Sequence, residues 1–251
     1  MCLNNWGGID HKVLEFHEYV NLFSGKSGSG KSTVMDAIQV ILYGSFSPSF
    51  LNKAADDAKN RRSVLSYLRG EQKDGSANRK DCDFCSVIAL EIEDTGTHII
   101  TCIGIAFEVR KSDSEIKKFV YFSHSGKMPE SEYLTEQGVC YSNQEIKKLV
   151  SARTKSDDNR GKGEVNRIYG SKEAYLGTLY DVILGYIDQN RFITMEKSAI
   201  ALKMTNGTGQ FIRDYMFPKN TSNTIATISE QLDSYRQIKD KIEDLRKRIE
   251  I

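Results

Sequence analysis

Gly25-Lys26-Ser27-Gly28-Ser29-Gly30-Lys31-Ser32 has the spacing G-x-x-x-x-G-K-S, with Thr33 directly after it. Glycines this close together let successive backbone amides turn towards one point, and a helix that begins at the lysine presents its positive end to the same point. An anionic polyphosphate suits such a nest. Lys31 places a charge where β- and γ-phosphates would lie, and Ser32 offers a hydroxyl to Mg²⁺. Gly25 to Thr33 are therefore read as a nucleotide-binding loop, with Ser32 as its metal ligand.

That chemistry needs a strand before the loop and a helix after it. The opening stretch MCLNNWGGIDHKVLEFHEYVNLFSG predicts two short strands about Gly7-Gly8, the second rich in β-branched and aromatic residues and running up to the loop. Beyond the loop, Val34, Ile38, Ile41 and Leu42 recur at helical spacing, and Gly44 is placed to stop that helix.

Hydrolysis asks for more: an acid at the end of a second apolar strand to manage Mg²⁺, and a residue that orients the attacking water. VILGYID, ending at Asp188, closes a helical pattern, and IALEIED, ending at Asp94, lies in an antiparallel run. Neither has the required setting. The chain thus carries half of a nucleotide-hydrolysing site, and turnover by it alone is not expected.

The remaining elements frame this half-site. Residues 45–81 are polar and charged, with short helix expected within NKAADDAKNRRSVLSYLRGE. Ser86 to Glu93, His98 to Arg110 and Ile116 to Ser123 predict three strands with connectors short enough for an antiparallel meander. In the second of them Ile99, Ile103, Ile105, Phe107 and Val109 share one parity, as in a half-buried strand. Ser142 with Glu145 three residues on is a capping box that starts a helix. Residues 153–164 lack periodicity and predict a mobile loop, after which Tyr175, Leu176, Leu179, Val182, Ile183 and Tyr186 mark an amphipathic helix.

From residue 224 the pattern changes. Ile228, Tyr235, Ile242 and Ile249 repeat every seven residues, and Ile238 with Leu245 fills the alternate seam. Residues 224–251 are read as the start of a coiled coil that continues past Ile251, and 1–223 as the lobe it leaves.

With 35 lysines and arginines against 34 acids, contact with nucleic acid would need a local basic patch. The five cysteines suit a reducing, cytoplasmic setting, and no stretch is long and apolar enough to cross a membrane. Cys82 and Cys85 form a single C-x-x-C without a second ligand pair, which favours two half-buried thiols over zinc.

The loop near the N-terminus, the meander, the missing carboxylate strand and the heptad helix together resemble the N-terminal half of an SMC-type ABC ATPase head. The fold class implied is an α/β P-loop NTPase lobe, a mixed sheet around the loop's helix, with an antiparallel β subdomain at about 86–123 and a C-terminal coiled-coil stub. LNNWGGI, GKSGSGKSTVMDAIQ, LNKAADDAKNRRSVLSYLRGE and SAIALKMTNGTGQFIRDYMFPKN are similar to condensin-like ATPases of Wadjet plasmid-defence systems, the JetC, MksB and EptC type. Ser27 stands where that family often has Asn.

The resemblance implies ATP and Mg²⁺ as cofactors and Gln189 as a loop glutamine that touches the Mg²⁺. Partners implied are the C-terminal half of the same head, a second head, DNA, and kleisin-like and accessory subunits, in a bacterial cytoplasm on nucleoid or plasmid DNA. Arg61 and Arg62 are candidates for phosphate or DNA contact, with a solvated face the favoured alternative. Rival readings are an SbcC-type repair ATPase that works with a nuclease, a self-contained small P-loop kinase or GTPase, and a transporter ATPase subunit.

Overall fold

In a computed structural model of the chain, residues 1–26, 28–47, 51, 63–72, 75–156 and 165–200 are described. Met1–Thr194 form one compact unit, and Met195–Ile251 a second, of which the described part is the end of one helix. The expected boundary at residue 223, the heptads of 224–251 and Arg61 and Arg62 lie outside the described residues.

The first unit is built on a six-stranded antiparallel sheet of order β2-β1-β3-β4-β5-β6. β1 (Cys2–Trp6) and β2 (Ile9–Val13) form a hairpin about Gly7-Gly8, and β1 pairs with β3 (Phe84–Glu93) on its other side. β4 (Ile100–Val109) and β5 (Lys118–Ser125) complete the predicted meander, and β6 (Arg167–Tyr169) closes the far edge. The meander is thus the middle of a larger sheet. The mixed sheet expected around the loop's helix is absent among the described residues, because every pairing is antiparallel.

Alternation along the strands divides the core into two layers. Ile88, Ile103, Ile105, Phe107, Val109 and Tyr121 face one cluster, while Val87, Ala89, Ala106 and Phe122 face the other. β4 is accordingly buried on both faces rather than half-buried as its parity suggested, and Ile99 falls outside it, 47% exposed. At Gly104 the sheet leaves no room for a side chain, since a Cβ would collide with the Ile88 carbonyl oxygen.

On the first face lies α1 (Lys31–Tyr43), which buries Val34, Ala37, Val40 and Ile41 and ends at Gly44 in the left-handed conformation, as expected. α2 (Val64–Arg69) starts at Ser63, whose hydroxyl accepts the Ser66 N–H at 3.1 Å. α3 (Asn143–Ser156) covers the second face, burying Ile146 and Val150. Its capping box is complete: Glu145 Oε2 accepts the Ser142 N–H at 2.7 Å and Ser142 Oγ accepts the Glu145 N–H at 3.3 Å. Because α3 runs to Ser156, the first residues of the expected loop over 153–164 are helical, and 157–164 lie outside the described residues.

The helix expected from Tyr175 changes character midway. α4 (Lys172–Gly177) passes into a π-helical turn, Thr178–Ile183, then an irregular stretch leads to α5 (Gln189–Ile200). Wider winding shifts the buried stripe, so Leu179 and Tyr180 are buried while Val182 and Tyr186 face out, the latter 86% exposed. The segment before the glycine loop also departs from expectation. β2 stops at Val13, and residues 14–26 form no strand, since they pair with no other strand among the described residues.

Candidate functional site

The glycine loop takes the form its composition dictates. Gly28 and Gly30 have φ of +85° and +88°, which a side chain would strain, and Gly30 caps α1 without any side-chain hydrogen bond. The amides of the first turn of α1 are thus left for something outside the helix. Lys31 Nζ lies inside the loop, donating to the Gly25 carbonyl at 2.6 Å, the Lys26 carbonyl at 2.9 Å and Ser29 Oγ at 3.3 Å. Ser29 N–H donates to the Lys26 carbonyl at 3.2 Å, and a Cβ on Gly25 would meet Ser29 Oγ at 2.6 Å. Ser32 is exposed beside the loop and Thr33 half-buried; Ser27 lies outside the described residues.

These donors fit a polyphosphate. A helix N-terminus without a side-chain cap, with one ammonium inside the loop before it, matches an anion with several oxygens, and the Ser32 hydroxyl would supply one oxygen for Mg²⁺. The residues that would hold the nucleotide are Gly25, Lys26 and Gly28 to Thr33; bound there, Mg²⁺ would neutralise charge on the phosphates.

Behind the loop lies a buried support that sequence patterns did not single out. Trp6, at the end of β1, donates its indole N–H to the Thr33 carbonyl at 2.9 Å and stacks on Tyr67, ring centroids 5.1 Å apart. Tyr67 donates its hydroxyl to Asp36, one turn along α1. Gly7 stands so close that a Cβ on it would lie 2.5 Å from the Thr33 methyl carbon. Arg79 fastens this corner, donating to the Gly7 carbonyl at 2.5 Å, the Leu68 carbonyl at 3.0 Å and Asp10 at 2.7 Å. Burial lowers the Arg79 pKa and Asp10 opposes that. The one sequence signal was the Gly7-Gly8 turn after a lone tryptophan, which carries no chemistry until the fold brings it to α1.

The other sequence candidates sit elsewhere. Asp188 caps α5, its Oδ1 accepting the Arg191 N–H at 2.8 Å, and Gln189 is the first residue of that helix, with no hydrogen bond to the glycine loop among the described residues. Asp94 holds the β3–β4 turn by accepting the Gly96 and Thr97 N–H groups, both at 2.8 Å, and these bonds lower its pKa. Cys82 is exposed and Cys85 half-buried, its thiol pushed up to about 11 by burial. Among the described residues no three His, Cys, Asp or Glu side chains converge as a metal site, and no helix is long and apolar enough to cross a membrane.

The sequence matches the AAA domain family over residues 1–251, a range that takes in the glycine loop, its helix and the whole antiparallel sheet. None of the curated proteins matches it. A family of ATPase domains accounts for a phosphate cradle at a helix N-terminus, and the match supports an SMC-like ATPase head. With loop, helix and sheet in one continuous match, this chain belongs to the AAA domain family of P-loop ATPases.

Proposed function

We propose that the chain is the ATP-binding N-terminal half of an SMC-like ATPase head, completed by a returning C-terminal half, and that paired heads use Mg-ATP to engage or move DNA. One observation carries this. The segment leading into the glycine loop leaves apolar side chains uncovered: Tyr19, Val20 and Leu22 are 84%, 79% and 89% exposed, and among the described residues no strand pairs with them. In a P-loop site the loop joins a strand to a helix. Here the helix is packed and, among the described residues, the strand side has no partner, which suits neighbours supplied by another stretch of polypeptide.

The acids agree with a half-site. Asp188 caps a helix, Asp94 holds a turn and Asp36 accepts from Tyr67, so each is committed away from a metal at Ser32. A sheet that is wholly antiparallel among the described residues weighs against a self-contained small kinase or GTPase, whose loop would sit on a parallel sheet. In the proposed cycle ATP held by Gly25 to Thr33 closes two heads, hydrolysis releases them, and coiled coils turn this into movement along DNA phosphates. Within that frame the finer reading is a condensin-like complex of the Wadjet anti-plasmid type, with kleisin-like and accessory subunits.

The test is Mg-ATP binding and turnover by the chain alone, then with the returning half added in trans, with Lys31→Ala as control. Binding without turnover until the second half is present supports the half-head; Lys31-dependent turnover by the chain alone would replace it with a self-contained NTPase. For the DNA role, duplex binding by the reconstituted head should weaken steeply between 50 and 200 mM salt, by roughly tenfold or more for a few phosphate contacts. Binding insensitive to salt would remove DNA from the reading.

A further inference from the structure

The first turn of α1 is held from outside. Gly30 gives it no side-chain cap, so the local restraint that normally fixes a helix start is missing where the phosphate-binding residues stand. In its place a wholly buried indole N–H meets the Thr33 carbonyl at 2.9 Å. Packing alone would need only an apolar ring there. A directed donor also fixes the height and rotation of the turn that carries Lys31, Ser32 and Thr33.

The same indole is wired to the rest of the unit. Its ring lies parallel to Tyr67, at 5°, and Tyr67 reaches α1 again at Asp36 while its carbonyl accepts the Gly7 N–H at 2.8 Å. Gly7 touches Thr33, and its carbonyl is gripped by Arg79. Helix start, β1–β2 turn, α2 and Arg79 therefore form one closed circuit of directed contacts.

We propose that Trp6 is the positioning residue for the phosphate-binding turn of α1, and that occupation of the loop is transmitted through its indole to Tyr67 and Arg79. This rests on the glycine loop being the nucleotide site. Nucleotide phosphates would draw the amides and ammonium of the loop towards themselves, and the Thr33 carbonyl moves with that turn, taking the indole with it.

The chain contains a single tryptophan, so replacing tryptophan throughout by its benzothiophene isostere changes Trp6 alone and exchanges the N–H for sulfur. Mg-ATP affinity is read by displacement of a fluorescent ATP analogue, for the unmodified chain, the isostere, Trp6→Phe and Tyr175→Phe. The last variant removes a donor to the Ile41 carbonyl, 3.0 Å away at the opposite end of the same helix. We expect the isostere and Trp6→Phe to bind Mg-ATP about three- to tenfold more weakly, the loss of one buried hydrogen bond, and Tyr175→Phe to bind normally despite a lower thermal midpoint. In the unmodified chain saturating Mg-ATP should shift the Trp6 emission, and Lys31→Ala should abolish the shift.

Equal affinity of the isostere and the unmodified chain would overturn the proposal, as would equal weakening by Tyr175→Phe, which would mark general destabilisation. An emission unmoved by saturating Mg-ATP would overturn the transmission. Should the unmodified chain fail to bind Mg-ATP, the reading of the loop itself fails and the proposal falls with it.

Discussion

At the scale of single residues, the site's precision comes from positions where one atom more would not fit. Gly7 combines a φ of +60° with a Cβ position 2.5 Å from the Thr33 side chain. Gly7→Ala therefore meets strain and collision together, at a cost of about 2–4 kcal/mol. A thermal melt should show a drop of roughly 4–16 °C, and Mg-ATP binding should weaken because Thr33 is what the methyl displaces. A Gly8→Ala variant, whose Cβ meets nothing within 4 Å, should behave like the parent. The glycine loop was legible in the sequence because all of its parts are adjacent in the chain. Trp6, Tyr67 and Arg79 were not, since 27 residues separate Trp6 from Thr33 and 72 separate Gly7 from Arg79, and only folding makes them neighbours. The thiols divide in the same manner: burial pushes Cys2 and Cys102 up to about 12, whereas Cys82 is exposed. Brief alkylation at pH 8 followed by mass spectrometry should label Cys82 first and leave Cys2, Cys102 and Cys140 untouched until the chain unfolds.

At the scale of elements, α1 takes hydrogen bonds from β1, α2, β5, α4 and the π-helical turn, and its two ends are treated differently. The N-terminal amides face the loop, while the C-terminal carbonyls are capped by tyrosine hydroxyls from three other elements. Tyr175 of α4 donates to Ile41 at 3.0 Å, Tyr180 of the π-helical turn to Leu42 at 3.0 Å, and Tyr121 of β5 to Gly44 at 2.6 Å. Each satisfies a carbonyl that the end of a helix leaves open. Burial raises Tyr121 and Tyr180 to about 12, so these hydroxyls stay protonated donors at any physiological pH. Replacing Tyr175 by Phe leaves the Ile41 carbonyl buried without that donor and should cost about 1–3 kcal/mol, seen as a lower denaturant midpoint with unchanged slope. Tyr175→Phe with Tyr180→Phe should cost nearly the sum if the two bonds act separately, and a shortfall above about 0.5 kcal/mol would show coupling through the π-helical turn. Local pattern announced α1, α3 and the β3–β5 meander, where hydrogen-bond partners lie close in sequence. It missed the pairing of β1 with β3 and of β6 with β5, which join distant stretches, and the switch to π winding at Thr178, which apolar spacing does not encode.

At the scale of the whole unit, the sheet separates two tasks. One face carries α1 and the glycine loop; the other, under α3, holds a polar knot that serves stability. There His124 of β5 is bonded at both ring nitrogens: Nδ1 donates to the Ser125 carbonyl at 3.0 Å, and Nε2 meets the Tyr133 hydroxyl at 2.9 Å. Burial lowers its pKa below the ordinary 6.5, the Ser125 bond and Glu91 of β3 oppose the shift, and Arg153 of α3 reinforces it. Between that depressed value and 6.5 the unfolded chain binds a proton that the folded chain refuses, so stability rises with pH across this window. The contribution of His124 is complete above 6.5 and is lost as pH falls through the folded value. Burial also lowers the Met1 amine from its ordinary 8.0, so thermal midpoints should begin to fall below about pH 8 and fall further below 6.5 as His124 adds its loss, before the carboxylates Asp94 and Asp113, whose own pKa values are lowered by backbone hydrogen bonds, begin to take up protons. His124→Gln keeps a donor and an acceptor but cannot titrate; it should start from a lower midpoint and show a flatter decline below pH 6.5. An equally steep decline in the variant would assign the acid sensitivity to other groups. Because the knot lies across the sheet from the loop, Mg-ATP affinity measured at pH 8 should be the same for His124→Gln and the parent, and a loss of affinity would mean that the two faces communicate.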